Sequence, residues 1–445
     1  VAFLNTNRAA FKRIFDLGYP AITGQLGIVL MGIFDIAMIG KVGHIEIAAA
    51  SLGSNMFFIV AVFGIGLLMV IPALISIIVG QKEGHDLARF TRDGFWVSLL
   101  VSIITYFAIH GSIKGLYLFD QPAEVEALAI PYLKIIAFSV IPMFIFLLFK
   151  GISDGHSDTK PSMVITLIAL GLNVFLNWIF IYGNWGAPAL GLDGAGWATF
   201  WSRVLMAALM FGWVVYSKKI SLTIPKLFRK SEGRQNYLRL ILKKGIPSGF
   251  QFFFEVTAFA LAGIFAGMIG AIEQASHQIA MSLAAVTYMF LGGLSTAGMI
   301  VVGEFHSTNN MAKIREYTKH ILILGFGFTI LFSIFFIAAR TPLIGLFNDN
   351  ADVIRISSTL LLFAAAFQMF DGIQVIQQGV LRGMEDTFIP SLITMLAYWF
   401  VATPLCYIFG IVYGWSVNGI WLGLTIGLII SAGLLSLRVR KMLRI

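Results

Sequence analysis

About twelve stretches of roughly 20 apolar residues follow one another along this chain, joined by short polar loops, and a helix of that length crosses a hydrocarbon core of about 30 Å. Backbone polar groups find no partner in lipid, so each stretch must close its own hydrogen bonds as a helix. A 445-residue chain with 58% hydrophobic and only 12% charged residues cannot hide its apolar surface in a soluble domain. The expected fold is therefore an all-α integral membrane protein of twelve transmembrane helices. The single cysteine, Cys406, cannot form an internal disulfide. The opening NTNRAAFKRIF is polar and basic, so no signal peptide is expected there, and Val1 suggests that an initiator segment precedes it.

Orientation follows from the basic residues, which concentrate in cytoplasmic loops. One set of alternate loops holds Arg8, Lys12 and Arg13; Lys82, Arg89 and Arg92; the run from Lys218 to Lys244; Lys313, Arg315 and Lys319; and Arg438 to Arg444. The other set is nearly free of base or acidic, with Asp120, Glu124, Glu126 and Asp193. Both termini are then expected in the cytoplasm, which needs an even number of spans, and the location is the cell (inner) membrane. The net charge of +9 reflects this asymmetry. Anionic membrane lipid is its natural partner, and nucleic acid need not be invoked.

The chain also repeats itself. Gly18-Tyr19-Pro20 recurs as Gly245-Ile246-Pro247, and Gly43-His44-Ile45-Glu46 recurs at the same spacing as Gly270-Ala271-Ile272-Glu273. Asp158-Thr159-Lys160-Pro161-Ser162 is echoed by Asp386-Thr387-Phe388-Ile389-Pro390-Ser391 with one insertion. An even number of spans per repeat relates the halves by a pseudo-two-fold axis along the membrane normal. Two six-helix lobes are expected at 1–216 and 244–445, separated by a basic cytoplasmic linker at 217–243. Alternating access by rocking one lobe against the other suits this plan.

Three carboxylates interrupt the apolar stretches: Asp35, Glu255 and Asp371. A charge near the centre of a membrane helix costs roughly 2.5–3.5 kcal/mol on insertion scales, so such acids persist mainly where ions or substrates are handled. In the first lobe Asp35 lies about five residues from the outer end of its helix, Asn177 about six and Thr199 about eight, which puts the three at one height. Asn173 and Asn177 share a helix face. Carboxylate, amide oxygens and hydroxyl form an oxygen-only set suited to a hard cation, and the same carboxylate can take a proton instead. The two asparagines alternatively act as interhelical hydrogen-bonding glue. In the second lobe Glu255 and Asp371 each fall about fifteen residues from the outer end and can meet near mid-membrane. Gln251 shares the face of Glu255, while Gln368, Asp371, Gln374 and Gln378 form a polar stripe expected to line a cavity. The two acids alternatively share one proton in a structural role.

Arg203 reads as the one guanidinium inside a span and needs a partner, a buried acid being the expected one; pairing with Asp35 would favour the ionised acid. His277 and Gln278, at the start of the eighth span, read as packing or loop contacts. The chain's 40 Phe and 17 Met include Phe252, Phe253 and Phe254 beside Glu255. Aromatic faces attract organic cations, and flexible Met surfaces adapt to several ligands, although most of these residues must face lipid or neighbouring helices.

FDIAMIGKVG followed by AAASLG, the Asn pair in GLNVFLNWIF, GAGWAT around Thr199, FFFEVTAFA around Glu255 and QQGVLRGMEDT after Asp371 resemble the multidrug and toxic compound extrusion (MATE) transporters, in their bacterial NorM-like branch. The resemblance runs over nearly the whole chain. It implies a V-shaped twelve-helix bundle that exports organic, often cationic, compounds in exchange for Na+ or H+, with no further cofactor and acting as a monomer. It also implies a first-lobe cation site at Asp35, Asn173, Asn177 and Thr199, and a role in coupling and drug release for Glu255 and Asp371. Some members of the family carry a tyrosine where this chain has Phe367, so a hydroxyl ligand is expected to be missing from the second lobe. Bending of the first helix near Pro20 and Gly32 is expected during the cycle.

Other classes fit less well. An ATP-driven pump needs a GxxxxGK[ST] loop, but Gly40-Lys41 is followed by Val42 outside that frame. A membrane enzyme should cluster its histidines and acids, yet the seven histidines are scattered and none forms HExxH. A lipid or oligosaccharide flippase of the same superfamily is the closer rival, but it should place several Arg or Lys in its cavity to hold phosphates.

Overall fold

A computed structural model describes residues 2–81, 87–115, 122–220 and 236–444. Lys82, Asp120 and the linker stretch 221–235, all used above to orient the chain, lie outside these. Among the described residues are twelve helices long and apolar enough to cross a membrane: α1 Arg8–Ile39, α2 His44–Gly80, α3 Leu87–Ile113, α4 Ala123–Gly155, α5 Lys160–Phe180, α6 Leu192–Tyr216, α7 Tyr237–Ile269, α8 Ala271–Ser307, α9 Met311–Ala338, α10 Ala351–Gly383, α11 Phe388–Val412 and α12 Ser416–Arg444. The described residues contain no β-strand.

Irregularities fall where the sequence weakens the helical ladder. α2 breaks at Met69–Val70, just before Pro72, and α4 at Ser139, just before Pro142, because a proline removes a donor and crowds the preceding turn. α11 widens into π-helix at Leu396–Ala402, directly before Pro404.

The two halves repeat in local detail. α4 and α10 are each followed by a residue with positive φ, Ser157 at 57° and Glu385 at 59°, at equivalent places in the repeat. Gly151 and Gly155 on α4 press against α2, where a Cβ at Gly155 would stand 2.5 Å from Cβ of Ile75. Gly379 and Gly383 do the same on α10 against α8, a Cβ at Gly383 falling 2.7 Å from the Met299 carbonyl oxygen. Lipid supplies no hydrophobic drive between helices, so close backbone approach at small residues has to supply the packing energy.

The chain forms two compact units, Thr23–Gly249 and Val1–Ile22 with Phe250–Ile445. These boundaries cut inside α1 and α7 rather than at the polar linker around which the sequence places its lobes. The physical reason is side-chain complementarity at the starts of those two helices. Ala10, Ile14 and Leu17 of α1 form one apolar face that joins the core of Leu294, Ile300, Val301 and Ile321. Arg13 pairs with Glu304 in the same unit. Reciprocally, Tyr237 at the start of α7 packs edge-on to Phe90 at 5.4 Å, and Gly245 and Gly249 meet Leu67 and Phe63.

Candidate functional site

The first unit gathers Asp35 of α1, Asn173 and Asn177 of α5, and Thr199 of α6 into one buried cluster. Asn177 Nδ2 donates to Asp35 Oδ1 at 2.5 Å, and Thr199 Oγ1 donates to Asp35 Oδ2 at 3.1 Å. Asn177 Nδ2 also reaches Asn173 Oδ1 at 3.4 Å. Both carboxylate oxygens therefore accept hydrogen bonds, the arrangement that satisfies an ionised acid. The geometry differs from the expected oxygen-only set in one respect: Asn177 turns its amide nitrogen to the acid, leaving its own Oδ1 buried without a partner. An amide has a donor end and an acceptor end, so turning it over presents Oδ1 to a cation or to a protonated Asp35. Asp35, Asn173, Asn177 and Thr199 are linked by these three hydrogen bonds. Only one of the four carries charge, which balances a monovalent ion or a proton.

Arg203, one turn along α6 from Thr199, does not pair with an acid, and this corrects the expected ion pair. Its Nη1 donates to Ser139 Oγ at 2.5 Å, and the guanidinium lies 4.9 Å from the centre of the Phe57 ring. Among the described residues no carboxylate lies within ion-pair distance of it. Ser139 sits at the break in α4. Asp35 remains within electrostatic range of Arg203 without a hydrogen bond between them.

In the second unit Glu255 of α7 accepts from Gln374 Nε2 of α10 at 3.0 Å. Gln374 is also bonded to Tyr398 Oη of α11 at 3.0 Å. Asp371 is 5% exposed and within electrostatic range of Glu255, so the two acids do approach one another. Of the expected stripe on α10, Gln368 donates to Ser333 Oγ of α9 at 2.9 Å, and its Oε1 is buried without a partner. Gln378 and Gln251 stay buried near Glu255, with Nε2 of the first and both polar atoms of the second unpartnered. Phe367 is an apolar packing residue, edge-on to Phe259 and Trp421. The hydroxyl expected to be missing there comes instead from Tyr398, which lies in the π-helical turn of α11. A π-turn is not readable in an apolar sequence, so this contact had no sequence signal. His277 packs against Trp421 at 5.9 Å and Gln278 is exposed.

Arg203 is also not the only guanidinium inside a span. Arg382, near the end of α10, is 6% exposed, and it was hidden in the sequence by its place beside the polar turn Glu385-Asp386.

These features define a class: a multi-pass helical membrane protein in which each half of a repeat carries a different buried acid site. The family known as MatE matches this chain over residues 20–179 and 247–408, once in each half. A probable multidrug resistance protein NorM of Mesorhizobium japonicum is 31% identical over 444 residues, covering 98% of this chain and 94% of that protein. The multidrug resistance protein MdtK of Photorhabdus laumondii is 32% identical over 438 residues, covering 96% and 94%. The solved eukaryotic MATE transporter AtDTX14 shares the fold with a TM-score of 0.89 at 19% identity, over 97% of this chain and 96% of that one. The chain belongs to the MatE family, on its NorM-like branch.

Proposed function

We propose that this protein is a secondary active multidrug efflux antiporter that exports organic, often cationic, compounds in exchange for Na+ or H+ by alternating access. The observation that carries the coupling is Asp35, buried on α1 and hydrogen-bonded from both α5 and α6. Its relatives are named as multidrug resistance proteins, which supports the drug side of the exchange. In this reading a cation arriving at Asp35 turns the Asn177 amide so that Oδ1 replaces Nδ2, and the cluster takes up ion and geometry together. Glu255, with Asp371, Gln374 and Tyr398 around it, serves the second coupling or substrate site. The charge of the basic loops supports an orientation with both termini in the cytoplasm, and the reading includes an inner-membrane location and a monomeric transporter. The mainly acidic intramembrane charge favours cationic cargo over the phosphates of a flippase.

The test is efflux of a fluorescent organic cation from proteoliposomes under a sodium gradient alone or a proton gradient alone, with Asp35→Asn beside the unmodified protein. Drive by sodium only, lost in the variant, assigns the cluster to Na+. Drive by protons only makes Asp35 a proton carrier. Efflux unaltered in Asp35→Asn, with normal expression, would falsify this mechanism, and no efflux under either gradient would favour the flippase.

A further inference from the structure

Arg382 is a buried cation without an acid partner among the described residues. Its Nη2 is 3.5 Å from Gln378 Oε1, its guanidinium lies 5.0 Å from the centre of the Phe252 ring, and its Nε is buried without a hydrogen bond. The nearby Asp386, which would neutralise it, is taken by Arg438 at 2.6 Å. A side chain on a helix leans toward the N-terminus. From its place near the end of α10, Arg382 therefore leans back along the stripe Gln378 and Gln374 toward Glu255, which lies within its electrostatic range. Gln251 and Phe252 of α7 occupy the same stretch, one turn from Glu255, and both polar atoms of Gln251 are unpartnered. Gln374, Gln378, Gln251 and Arg382 thus make this column polar from Glu255 to the guanidinium.

The same position in the first half carries the opposite charge. Asp154 is the repeat counterpart of Arg382 and is fully buried; it is paired with Lys150 and accepts a hydrogen bond from Ser162 Oγ at 3.2 Å. The first half thus closes this level with a neutral pair, whereas the second leaves a net positive charge beneath an acid site. A fixed cation across a polar passage repels mobile cations, and pores use such groups to exclude them.

We propose that Arg382 is an electrostatic seal that bars sodium ions and protons from leaving the Glu255 site through the cytoplasmic end of α10. The proposal rests on the reading of Glu255 as a coupling-cation site and on the orientation drawn from the basic loops. Without a seal, a cation bound from outside would pass inward through the polar column and dissipate its gradient. With it, the ion must wait for the conformational change that exchanges it for substrate. Arg382 acts through the field at Glu255 and is a positioning residue, not a ligand of the cargo.

The experiment measures substrate-free leak of an imposed proton or sodium gradient in proteoliposomes of the full chain, using an internal pH dye or a sodium dye. Arg382→Gln is expected to raise the leak by about tenfold or more, equivalent to about 1.4 kcal/mol of lost barrier. Arg382→Lys, which keeps the charge, stays tight, and Glu255→Gln with Arg382→Gln is tight again because no site loads the column. A structural role alone would not produce a leak that depends on Glu255. If Arg382→Gln does not fold, Arg382→Met is read instead: it keeps a long side chain against the Phe252 ring but removes the charge, and a leak is expected. A tight Arg382→Gln, or a tight Arg382→Met in that second case, overturns the seal. If Glu255→Gln at the same time abolishes drug efflux, the coupling reading survives that result. If Glu255→Gln leaves coupled efflux intact, the coupling reading itself has failed.

Discussion

The two acid sites occupy the two halves of one repeat, yet neither has a counterpart in the other half. Ala262 stands at the repeat counterpart of Asp35, and Ile28 at that of Glu255. The first site is a single carboxylate held by short donors from two helices, Asn177 and Thr199. The second is a pair of carboxylates embedded in long, adaptable amides, with a tyrosine hydroxyl and a buried guanidinium nearby. The scaffolding, by contrast, is shared: glycines at 151 and 155 match those at 379 and 383, and the positive-φ turns match as well. The two halves share the glycine contacts that pack their helices and differ in their buried polar clusters. Packing at a glycine contact tolerates little change, while a buried polar site needs only that its own members remain satisfied.

The largest expected effect separates the sites by function. Asp35→Asn should reduce ion-driven efflux by more than about a hundredfold, equivalent to about 2.7 kcal/mol, since among the described residues no other carboxylate joins its cluster. Equal loss in Asp35→Asn and Asp371→Asn, measured by initial efflux rates, would instead argue that the two sites act as one. The next prediction tests the shared scaffold. Gly155→Leu and Gly383→Leu should each destabilise the protein by about 1–3 kcal/mol through overpacking, read as a lowered melting temperature in detergent. A large drop in one and none in the other would break the structural equivalence of the halves.

Smaller effects sharpen the chemistry of each site. Tyr398→Phe removes one hydrogen bond to Gln374, worth about 0.5–1.5 kcal/mol, and should slow efflux several-fold with little change in stability. The same loss of activity with an unchanged proton-to-sodium preference would show that Tyr398 orients Gln374 and does not touch the ion. Arg203→Lys should have the smallest effect on transport, because its partners are a hydroxyl and an aromatic face that an ammonium also satisfies. A changed ion preference in Arg203→Lys, measured in the same two-gradient assay, would mean that its field at Asp35 matters more than its contacts.

Much of the architecture was legible before any coordinates. Hydrophobic length gave the twelve helices, and self-comparison gave the repeat. Depth along each helix brought Asp35, Asn177 and Thr199 to one level, and the structure joins them by hydrogen bonds. The same reasoning failed for Gln368, which shares its helix with Asp371 but bonds to Ser333. It failed for Arg203 too, which donates to the Ser139 hydroxyl and has no carboxylate within ion-pair distance among the described residues.

Periodicity, then, determined which residues lie at one height and on one face of their own helix, since rise and turn are properties of the backbone alone. Which neighbouring helix each face meets was decided only by the tertiary structure. That choice rests on glycine contacts, proline-induced breaks and a π-turn that rotate one helix against another. For this reason the acids could be named from the sequence, while the amide end that faces Asp35, the hydroxyl of Tyr398 and the isolation of Arg382 emerged only when the helices were packed.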